Sequence, residues 1–258
     1  LIEKKETFDT ALGIAIISLP LIRYESISIS GTVLIALYMS GFRKEAIITA
    51  ILLALPIAAF SAFIYSGQES YLPSSIIAKT VAVTSNPLYN LIANVNSHYL
   101  YFLIFLVPAL IFTKNNIARF LIITPFIIHM TFGSIGWFAR YEPYIFIYIA
   151  TILILYFKEK SNALTIIGLT MLSTLSHMAA TSSLTVAASD NIYNQQQQMA
   201  EIARNLDAPV AVNDLGLVSL RTEKYVLDLY GLGSIEALKL RSQSKNTDWV
   251  GPLLRSND

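Results

Sequence analysis

Five charged residues have the types and spacing that anion chemistry needs. Arginine is followed two residues later by glutamate twice, at Arg23 and Glu25 and again at Arg140 and Glu142, and Lys79 lies between the two pairs. A guanidinium group binds phosphate oxygens through two parallel N–H bonds. A neighbouring carboxylate can hold a divalent cation or accept a proton from an attacking hydroxyl. These residues therefore form the candidate site for an anionic ligand.

Composition indicates a protein that meets a bilayer. Hydrophobic residues make up 54% of the 258-residue chain and charged residues 14%, with a mean hydropathy of +0.56. Soluble domains carry about 25% charged residues, so this deficit predicts a membrane protein. The net charge is +1 and no basic cluster is interleaved with aromatic residues, which argues against a nucleic-acid partner. Cysteine is absent, which excludes disulfides and cysteine-based metal sites within this sequence.

Seven apolar stretches predict an α-helical polytopic membrane domain over 1–188. Their bounds are 8–22, 27–42, 45–65, 99–113, 119–138, 144–157 and 163–188. A crossing helix needs roughly 20 residues, within a range of about 17 to 25. The third, fifth and seventh stretches satisfy this, and the others need flanking aromatic and serine residues to reach the interfaces. The loop over 66–98 is long enough to be a lid or binding loop, and we expect short surface helices over 74–83 and 87–94.

The connections between these stretches are alternately basic and nearly free of lysine and arginine. The positive-inside bias makes the basic set cytoplasmic; it consists of Lys4, Lys5, Arg43, Lys44, Lys114, Arg119, Lys158 and Lys160. The prediction is an integral, multi-pass protein of the plasma (inner) membrane, with the loop 66–98 and the tail from 189 extracytoplasmic.

Three cations, Arg23, Lys79 and Arg140, lie on the outer side against this bias, and each needs a local reason. A shared site for a lipid phosphate or pyrophosphate at the outer surface is one such reason. Pairing of each arginine with its own glutamate or with membrane lipid explains them about equally well.

The remaining ionisable and aromatic residues carry weaker signals. The histidines lack zinc-binding spacing, and His129 lies within an apolar stretch, where its ring is expected to hydrogen-bond a neighbouring helix. Tyr141 and Tyr144, near the predicted outer ends of spans, are expected to be interface anchors. A divalent cation, Mg²⁺ or Mn²⁺, held by Glu25 and Glu142 is the cofactor that the residues allow, and no pattern requires one.

The polar tail, 189–258, predicts a small extracytoplasmic α/β domain. We expect an amphipathic helix over 191–206, a strand over 210–212, a turn over 213–216 and a second strand over 224–229. A helix capped by Ser234 is expected to run to about Arg241, followed by another over 249–255.

Two groups of polar and glycine residues follow the predicted strands of the tail. Asn213, Asp214 and Gly216 follow the first strand, and Asp228 and Gly231 belong to the end of the second. Aspartate after a strand most often bonds local backbone N–H groups, and glycine supplies positive φ. These residues are therefore expected to shape the tail and its contact with the membrane loop.

In their order along the chain, these sequences resemble the polytopic GT-C glycosyltransferases, which use polyprenyl-phosphate-linked sugars, and in particular their arabinosyl- and mannosyltransferase-type branch. The turn at 23–25 is similar to the family's Arg-Pro-Glu-like turn, with Tyr24 where proline is usual. Residues 67–79 are similar to its Gly-x-x-x-Pro-x-x-x-x-Ala-Lys-like loop, and an Arg-Tyr-Glu element recurs at 140–142. The tail phrases at 213–216 and 227–232 resemble the family's Asn-Asp-x-Gly and hydrophobic-Asp-x-x-Gly-Leu. The resemblance covers about 12–240.

The resemblance implies transfer of a sugar from a polyprenyl-phosphate donor to a lipid-linked or cell-envelope glycan acceptor at the outer membrane face. With this donor, Lys79 and Arg140 are the expected phosphate contacts and Arg23 a weaker third. The family's principal catalytic acidic residue has no match here. The resemblance therefore implies that it precedes Leu1 and that the sequence is a C-terminal portion, which leaves the catalytic residue unknown.

Two other functions are compatible with the sequence. A lipid-glycan transporter needs polar residues lining a path through the spans, and the predicted span interiors are nearly free of charge. A non-catalytic membrane scaffold, whose tail binds a partner protein, would lack an acidic loop upstream.

Overall fold

The computed structural model describes residues 7–68, 70–74, 76–77, 86–97, 106, 110, 113–133, 135, 141–157, 163–244 and 247–256. Over 163–180 it describes the side chains of residues 168, 175 and 179 alone, and the side chain of residue 68 is not described. Contacts divide the chain into two compact units. The first unit is Leu1–Phe60 with Thr84–Thr181, and the second unit is Ser61–Val83 with Ser182–Asp258.

The first unit is helical in the part that the structure describes. Its helices are α1 (Thr10–Ile22), α2 (Ile27–Met39), the start of α3 (Arg43–Gln68), α4 (Pro87–Ser97), α5 (Asn116–Phe132), α6 (Pro143–Phe157) and the start of α7 (Ala163–Asn205). Helix α2 packs against α1 and α5, and α5 packs against α4 and α6. Their buried faces share one core that includes Ile16, Ala36, Ile122, Phe126 and Ile149.

Local sequence explains where these helices begin and how two of them are joined. Asp9 and Asn115 cap α1 and α5 by accepting backbone N–H bonds through their side chains.

Pro20 lies inside α1 and has no N–H to give to the carbonyl oxygen of Ile16 four residues earlier. The hydroxyl of Ser30 on α2 donates to that oxygen at 2.8 Å. The proline therefore creates an acceptor that ties α1 to α2.

The prediction of seven membrane-spanning helices is wrong. Among the described residues, only Arg43–Gly67 is long and apolar enough to cross a bilayer, judged by length and composition. The other apolar helices, Thr10–Ile22, Tyr24–Met39, Asn116–Phe132 and Pro143–Phe157, have at most 17 residues and bury their faces in the shared core. Short apolar runs look alike in a buried core helix and in a crossing helix, so the sequence pattern overcounted spans. The described helices give no support to a multi-pass arrangement. Most of the predicted stretch 99–113 lies outside the described residues.

The second unit contains a small α/β arrangement. After α7 come β1 (Val210–Val212), α8 (Gly216–Arg221), β2 (Val226–Asp228), α9 (Ile235–Gln243) and α10 (Val250–Ser256). The strands pair in parallel, with Val210 opposite Val226 and Val212 opposite Asp228. Parallel neighbours need a crossover of about a dozen residues, usually helical, and α8 provides it.

Most tail elements predicted from the sequence are confirmed. Both strands and the last two helices are present, and the hydroxyl of Ser234 accepts the N–H of Ala237 at 3.2 Å as the cap of α9. The helix predicted over 191–206 is the end of the longer α7. The turn predicted over 213–216 leads into α8, which the sequence pattern missed. The surface helix predicted over 87–94 is confirmed as a helix by α4, whereas 78–83 lies outside the described residues.

Gly231 provides a test of this fold. Its φ is +88°, and a Cβ there would lie 2.9 Å from the Cβ of Leu238. Gly231→Ala is expected to destabilise the strand pair by about 1–3 kcal/mol because strain and overlap add. Hydrogen exchange at the Leu229 N–H, which donates to Val212 at 2.8 Å, should then accelerate by up to about 100-fold.

Gly251→Ala is the matched control because Gly251 lies within α10 and a Cβ there would meet nothing closer than 3.6 Å. Helical alanine is favoured by about 0.5–1 kcal/mol over glycine, so exchange at Leu229 should stay equal or slow. Equal acceleration by both substitutions would contradict the assigned role of Gly231.

Candidate anion-binding site

Arg23 lies in the connection between α1 and α2, and its backbone is held on both sides. Its N–H donates to the carbonyl oxygen of Leu19 at 3.0 Å. Its carbonyl oxygen accepts the N–H of Ser26 at 3.0 Å and the hydroxyl of Ser26 at 2.6 Å. A short 3₁₀ turn over Tyr24–Ser26 follows and leads directly into α2. The turn therefore fixes the starting direction of the Arg23 side chain.

The guanidinium group of Arg23 meets one carboxylate and two aromatic rings. Its Nε lies 3.3 Å from Oε2 of Glu25, close enough for an ion pair although the N–H direction falls outside hydrogen-bond geometry. Its Cζ lies 5.0 Å from the ring centre of Tyr144 and 5.9 Å from that of Tyr141. The side chains of Arg23 and Glu25 stay 29% and 34% exposed. The charge is therefore positioned by ion-pair and cation–π contacts while remaining accessible.

His129 on α5 and Tyr144 on α6 connect to this arrangement through polar contacts that end at the backbone of Glu25. His129 Nδ1 lies 2.9 Å from the Tyr144 hydroxyl oxygen, which lies 3.5 Å from the carbonyl oxygen of Glu25. The predicted bond from His129 to a neighbouring helix is confirmed. A Cβ on Gly133 would lie 2.5 Å from the His129 ring, so only glycine fits at this end of α5. We call Arg23, Glu25, His129, Tyr141 and Tyr144 the Arg23 cluster.

Burial keeps His129 and Tyr144 of the Arg23 cluster neutral. Desolvation, helped by the nearby Arg23 charge and opposed by Glu25, lowers the pKa of His129 to about 4. Burial, with Glu25 adding to it, raises the pKa of the Tyr144 hydroxyl well above its usual range. At neutral pH the charges in the cluster are therefore those of Arg23 and Glu25.

Glu142, predicted to support the cations or hold a metal, is buried and bonds the neighbouring backbone. Its side chain is 1% exposed, and its Oε2 accepts the N–H of Tyr141 at 3.1 Å. Its carbonyl oxygen accepts the first helical N–H groups of α6, with Pro143 at the first helical position. In the described part of the chain, no three His, Cys, Asp or Glu residues come together as a metal site. The divalent cation at Glu25 and Glu142 therefore stays a prediction.

The two cations expected to contact phosphate first, Lys79 and Arg140, lie outside the described residues. The structure does bring the two Arg-Tyr-Glu sequences together, because the guanidinium group of Arg23 lies over the ring of Tyr141, the middle residue of the second sequence. The sequence did not assign Tyr141, Tyr144 or His129 to this site. The available signal was the pair of repeated Arg-Tyr-Glu sequences, each placed at a helix end.

The tail motif consists of residues 213–216 and 227–232 in the second unit. Its second half is held together by Asp228. Its buried carboxylate accepts the N–H of Tyr230 at 2.8 Å and that of Gly233 at 2.6 Å, which closes the loop containing Gly231. The hydroxyl of Ser74 donates to the carbonyl oxygen of Leu232. The predicted turn role of Asp228 is confirmed, and the loop 70–74 contacts the motif directly.

The first half of the tail motif is fixed at Gly216. A Cβ there would lie 2.6 Å from Oε1 of Gln196, which accepts the N–H of Leu217 at 3.0 Å. Asn213 and Asp214 are exposed, and Asp214 makes no polar contact with any residue that the structure describes. The motif therefore contains both structural residues and unused polar side chains.

Neutral His129 makes stability depend on pH. Its folded pKa of about 4 lies below the ordinary histidine pKa of 6.5, so the unfolded chain binds the proton first as the pH falls. The contribution of this group to the free energy of unfolding is fully present above about pH 6.5. It declines by roughly 3 kcal/mol as the pH falls towards 4. The melting temperature of wild type should therefore fall more between pH 7 and 4.5 than that of His129→Gln. Parallel pH curves for the two proteins would contradict a buried neutral histidine.

Asp228 and Asp214 form a matched pair for the tail. Asp228→Asn replaces one acceptor by a donor facing a backbone N–H and should cost about 1–3 kcal/mol. Asp214→Asn should change stability by less than about 0.5 kcal/mol. Hydrogen exchange at the Tyr230 and Gly233 N–H groups should accelerate in the first variant and stay at the wild-type rate in the second. The reverse order would remove the structural role assigned to Asp228.

Comparison with known proteins gives one match. Residues 190–257 match a family described as "Domain of unknown function (DUF8728)". This range contains β1, α8, β2, α9 and α10, together with the tail motif. No curated protein and no solved structure matches the chain.

Proposed function

We propose that the protein is a membrane-bound glycosyltransferase that moves a sugar from a polyprenyl-phosphate donor to a lipid-linked or cell-envelope glycan acceptor. The observation that carries this proposal is the positioned guanidinium of Arg23, paired with Glu25 and packed against Tyr144 while 29% of the side chain stays exposed. The resemblance of the ordered motifs to GT-C glycosyltransferases adds the substrate class.

The arrangement suits a phosphate leaving group. When the bond between the sugar C1 and the phosphate oxygen breaks, negative charge grows on the polyprenyl phosphate. A guanidinium group stabilises that charge best when it is fixed beforehand, because it then needs no reorganisation during the reaction. Glu25 and Tyr144 supply that fixing for Arg23. We propose Lys79 and Arg140 as additional phosphate contacts.

The acceptor hydroxyl must lose a proton, and the described acidic residues of the cluster do not suit that task. Glu25 is paired with Arg23, and the carboxylate of Glu142 is buried against the backbone. We therefore assign Arg23 to donor binding. In this proposal the general base that takes the proton is neither Glu25 nor Glu142. The proposal uses no metal-dependent step.

Helix α3 supports attachment to a membrane. Only 11% of its apolar window is buried within the structure, whereas a core helix would be mostly covered. Exposed large apolar residues along it include Ile47, Ile51, Leu55, Phe60 and Phe63. Exposed apolar residues on several sides of one helix mark a partner or membrane surface. In this proposal α3 anchors the protein and the Arg23 cluster faces the extracytoplasmic surface.

Substitution of Arg23 tests the proposal. In membranes containing the full chain and radiolabelled polyprenyl-phosphate sugars, Arg23→Ala should lower transfer by about 10–100-fold, since a charged hydrogen bond contributes about 1.5–3 kcal/mol. The donor KM should rise or kcat should fall, with the acceptor KM unchanged. Arg23→Lys keeps the charge without the planar donor pair and should give an intermediate loss.

Arg43 offers a matched control because its guanidinium also lies over a tyrosine ring, at 5.5 Å from the centre of Tyr38. Arg43→Ala should leave transfer within about twofold, because this cation–π contact at an exposed site is worth only about 0.5–1 kcal/mol. Equal donor kinetics in the Arg23 and Arg43 variants would refute the site. Absence of transfer by wild type with every donor tested would refute the function.

A further inference from the structure

The charged residues of α3 are confined to its first turn. That turn contains Arg43, Lys44 and Glu45, and no charged residue follows between Ala46 and Gln68. The helix has 26 residues and is therefore about 39 Å long. The hydrocarbon core of a bilayer is about 30 Å thick. An apolar segment of bilayer length therefore begins directly after two cations.

The helical period places these cations on the same side of α3 as a row of exposed apolar residues. Residues three or four positions apart lie on one side of a helix. The exposed side over 43–55 includes Arg43, Lys44, Ile47, Ile48, Ile51, Leu52 and Leu55. The opposite side is buried and includes Ala46, Thr49 and Leu53. The exposed side therefore changes from charged to apolar within one helical turn, which is about 5 Å.

A third exposed cation, Lys114, lies at the same end of the first unit. Phe42, which precedes Arg43, and Asn115, which follows Lys114, line one cavity. The start of α3 and the start of α5 are therefore neighbours. We call Arg43, Lys44 and Lys114 the basic end.

The described carboxylates do not neutralise the basic end. Arg43 lies over the ring of Tyr38, and none of the three cations forms an ion pair with a carboxylate that the structure describes. The side chain of Asp9 accepts the N–H of Ala11 as the cap of α1. At the other end of α2, which is about 20 Å long, the charge of Arg23 is paired with Glu25. The two ends of the first unit therefore differ in the charge that they offer to a partner.

The combination of free cations and apolar side chains selects one class of partner. Lysine and arginine next to an apolar surface place their charged groups at phosphate headgroups, and their stems lie along acyl chains. A leaflet of anionic phospholipids offers both kinds of group within the distance of one helical turn. A soluble acidic protein would match the cations and leave the isoleucine and leucine side chains of α3 in water.

We infer that the basic end and the exposed side of α3 bind anionic phospholipids, with the phosphates at the three cations and the acyl chains along Ile47, Ile48 and Ile51. The inference rests on the membrane attachment of α3 in the proposed function and is independent of sugar transfer. It predicts that the lipid next to the start of α3 is preferentially anionic, and that this preference depends on the charge of the basic end.

Fluorescence quenching by brominated lipids can test this inference in the full chain. The sequence contains no cysteine, so Ile48→Cys can carry a bimane label at one defined place on the exposed side. The labelled chain is reconstituted in dioleoylphosphatidylcholine vesicles that contain brominated phosphatidylglycerol or brominated phosphatidylcholine. Quenching should show about fivefold tighter binding of phosphatidylglycerol, because a basic residue near an anionic surface contributes about 1 kcal/mol. In about 1 M salt the preference should disappear, since charges are then screened within about 3 Å.

Lys44→Gln and Lys239→Gln, each made in the labelled chain, are matched substitutions of exposed lysines. Lys44 belongs to the basic end, and its loss should lower the preference about two- to fivefold. Lys239 lies on α9 in the second unit, and its loss should leave the preference at the value of the labelled parent. Replacement of all three cations of the basic end by glutamine should make the two lipids quench equally. Helical circular dichroism should be unchanged in each variant, because every substituted side chain is exposed.

Three outcomes would overturn the inference. Equal quenching by the two lipids in the labelled parent at low salt would show that the lipid charge is not selected. An equal loss of preference in Lys44→Gln and Lys239→Gln would show that net charge acts instead of the basic end. Both results would leave the membrane attachment of α3 in place. Absence of quenching by either lipid would remove that attachment as well, because the exposed side would then be covered by protein.

Discussion

The charge of Arg23 is the constraint on which this end of the first unit depends. A guanidinium group stays protonated in proteins, and it is costly to surround with apolar helices unless it is paired. Glu25 supplies the opposite charge and Tyr144 supplies an aromatic face. Burial, with a smaller contribution from the same cation, lowers the pKa of His129 and keeps its ring uncharged. One positive and one negative charge therefore remain, and the neutral rings hold them in place.

Polar side chains inside the apolar helices mainly serve backbone groups, and this sets where the cluster forms. Ser30 satisfies the carbonyl oxygen that Pro20 leaves without a donor, which fixes α1 against α2. Asn94 donates to the carbonyl oxygen of Met130 at 2.7 Å, near the end of α5. Both bonds lie between elements that carry the cluster or support it. These hydrogen bonds to backbone groups therefore help apolar packing to fix the position of Arg23 relative to His129.

The sequence predicted local features well and long-range ones poorly. The cap at Ser234, the strands of the tail and the turn role of Asp228 depend on neighbouring residues, so short patterns were sufficient. The number of membrane spans was overestimated because apolarity reports burial and does not say whether lipid or protein covers a helix. The crossover α8 was missed because its six residues lie between two turn signals. The contact of Arg23 with Tyr141 joins distant segments, which no local pattern encodes.

The two halves of the tail motif have different physical roles. The carboxylate of Asp228 accepts the N–H groups of the loop. Gly231 adopts a positive φ, and its lack of a Cβ leaves space for Leu238. Asn213 and Asp214 have no such role and project at the carboxyl end of β1. Ligands of α/β arrangements bind at the carboxyl ends of parallel strands, which is also where the two motif loops meet. Loop bonding and positive φ explain Asp228 and Gly231, whereas Asn213 and Asp214 are exposed in the turn that follows β1. A role of the motif in recognition would therefore have to involve Asn213 and Asp214, and would leave Asp228 as the residue that keeps their loop in place.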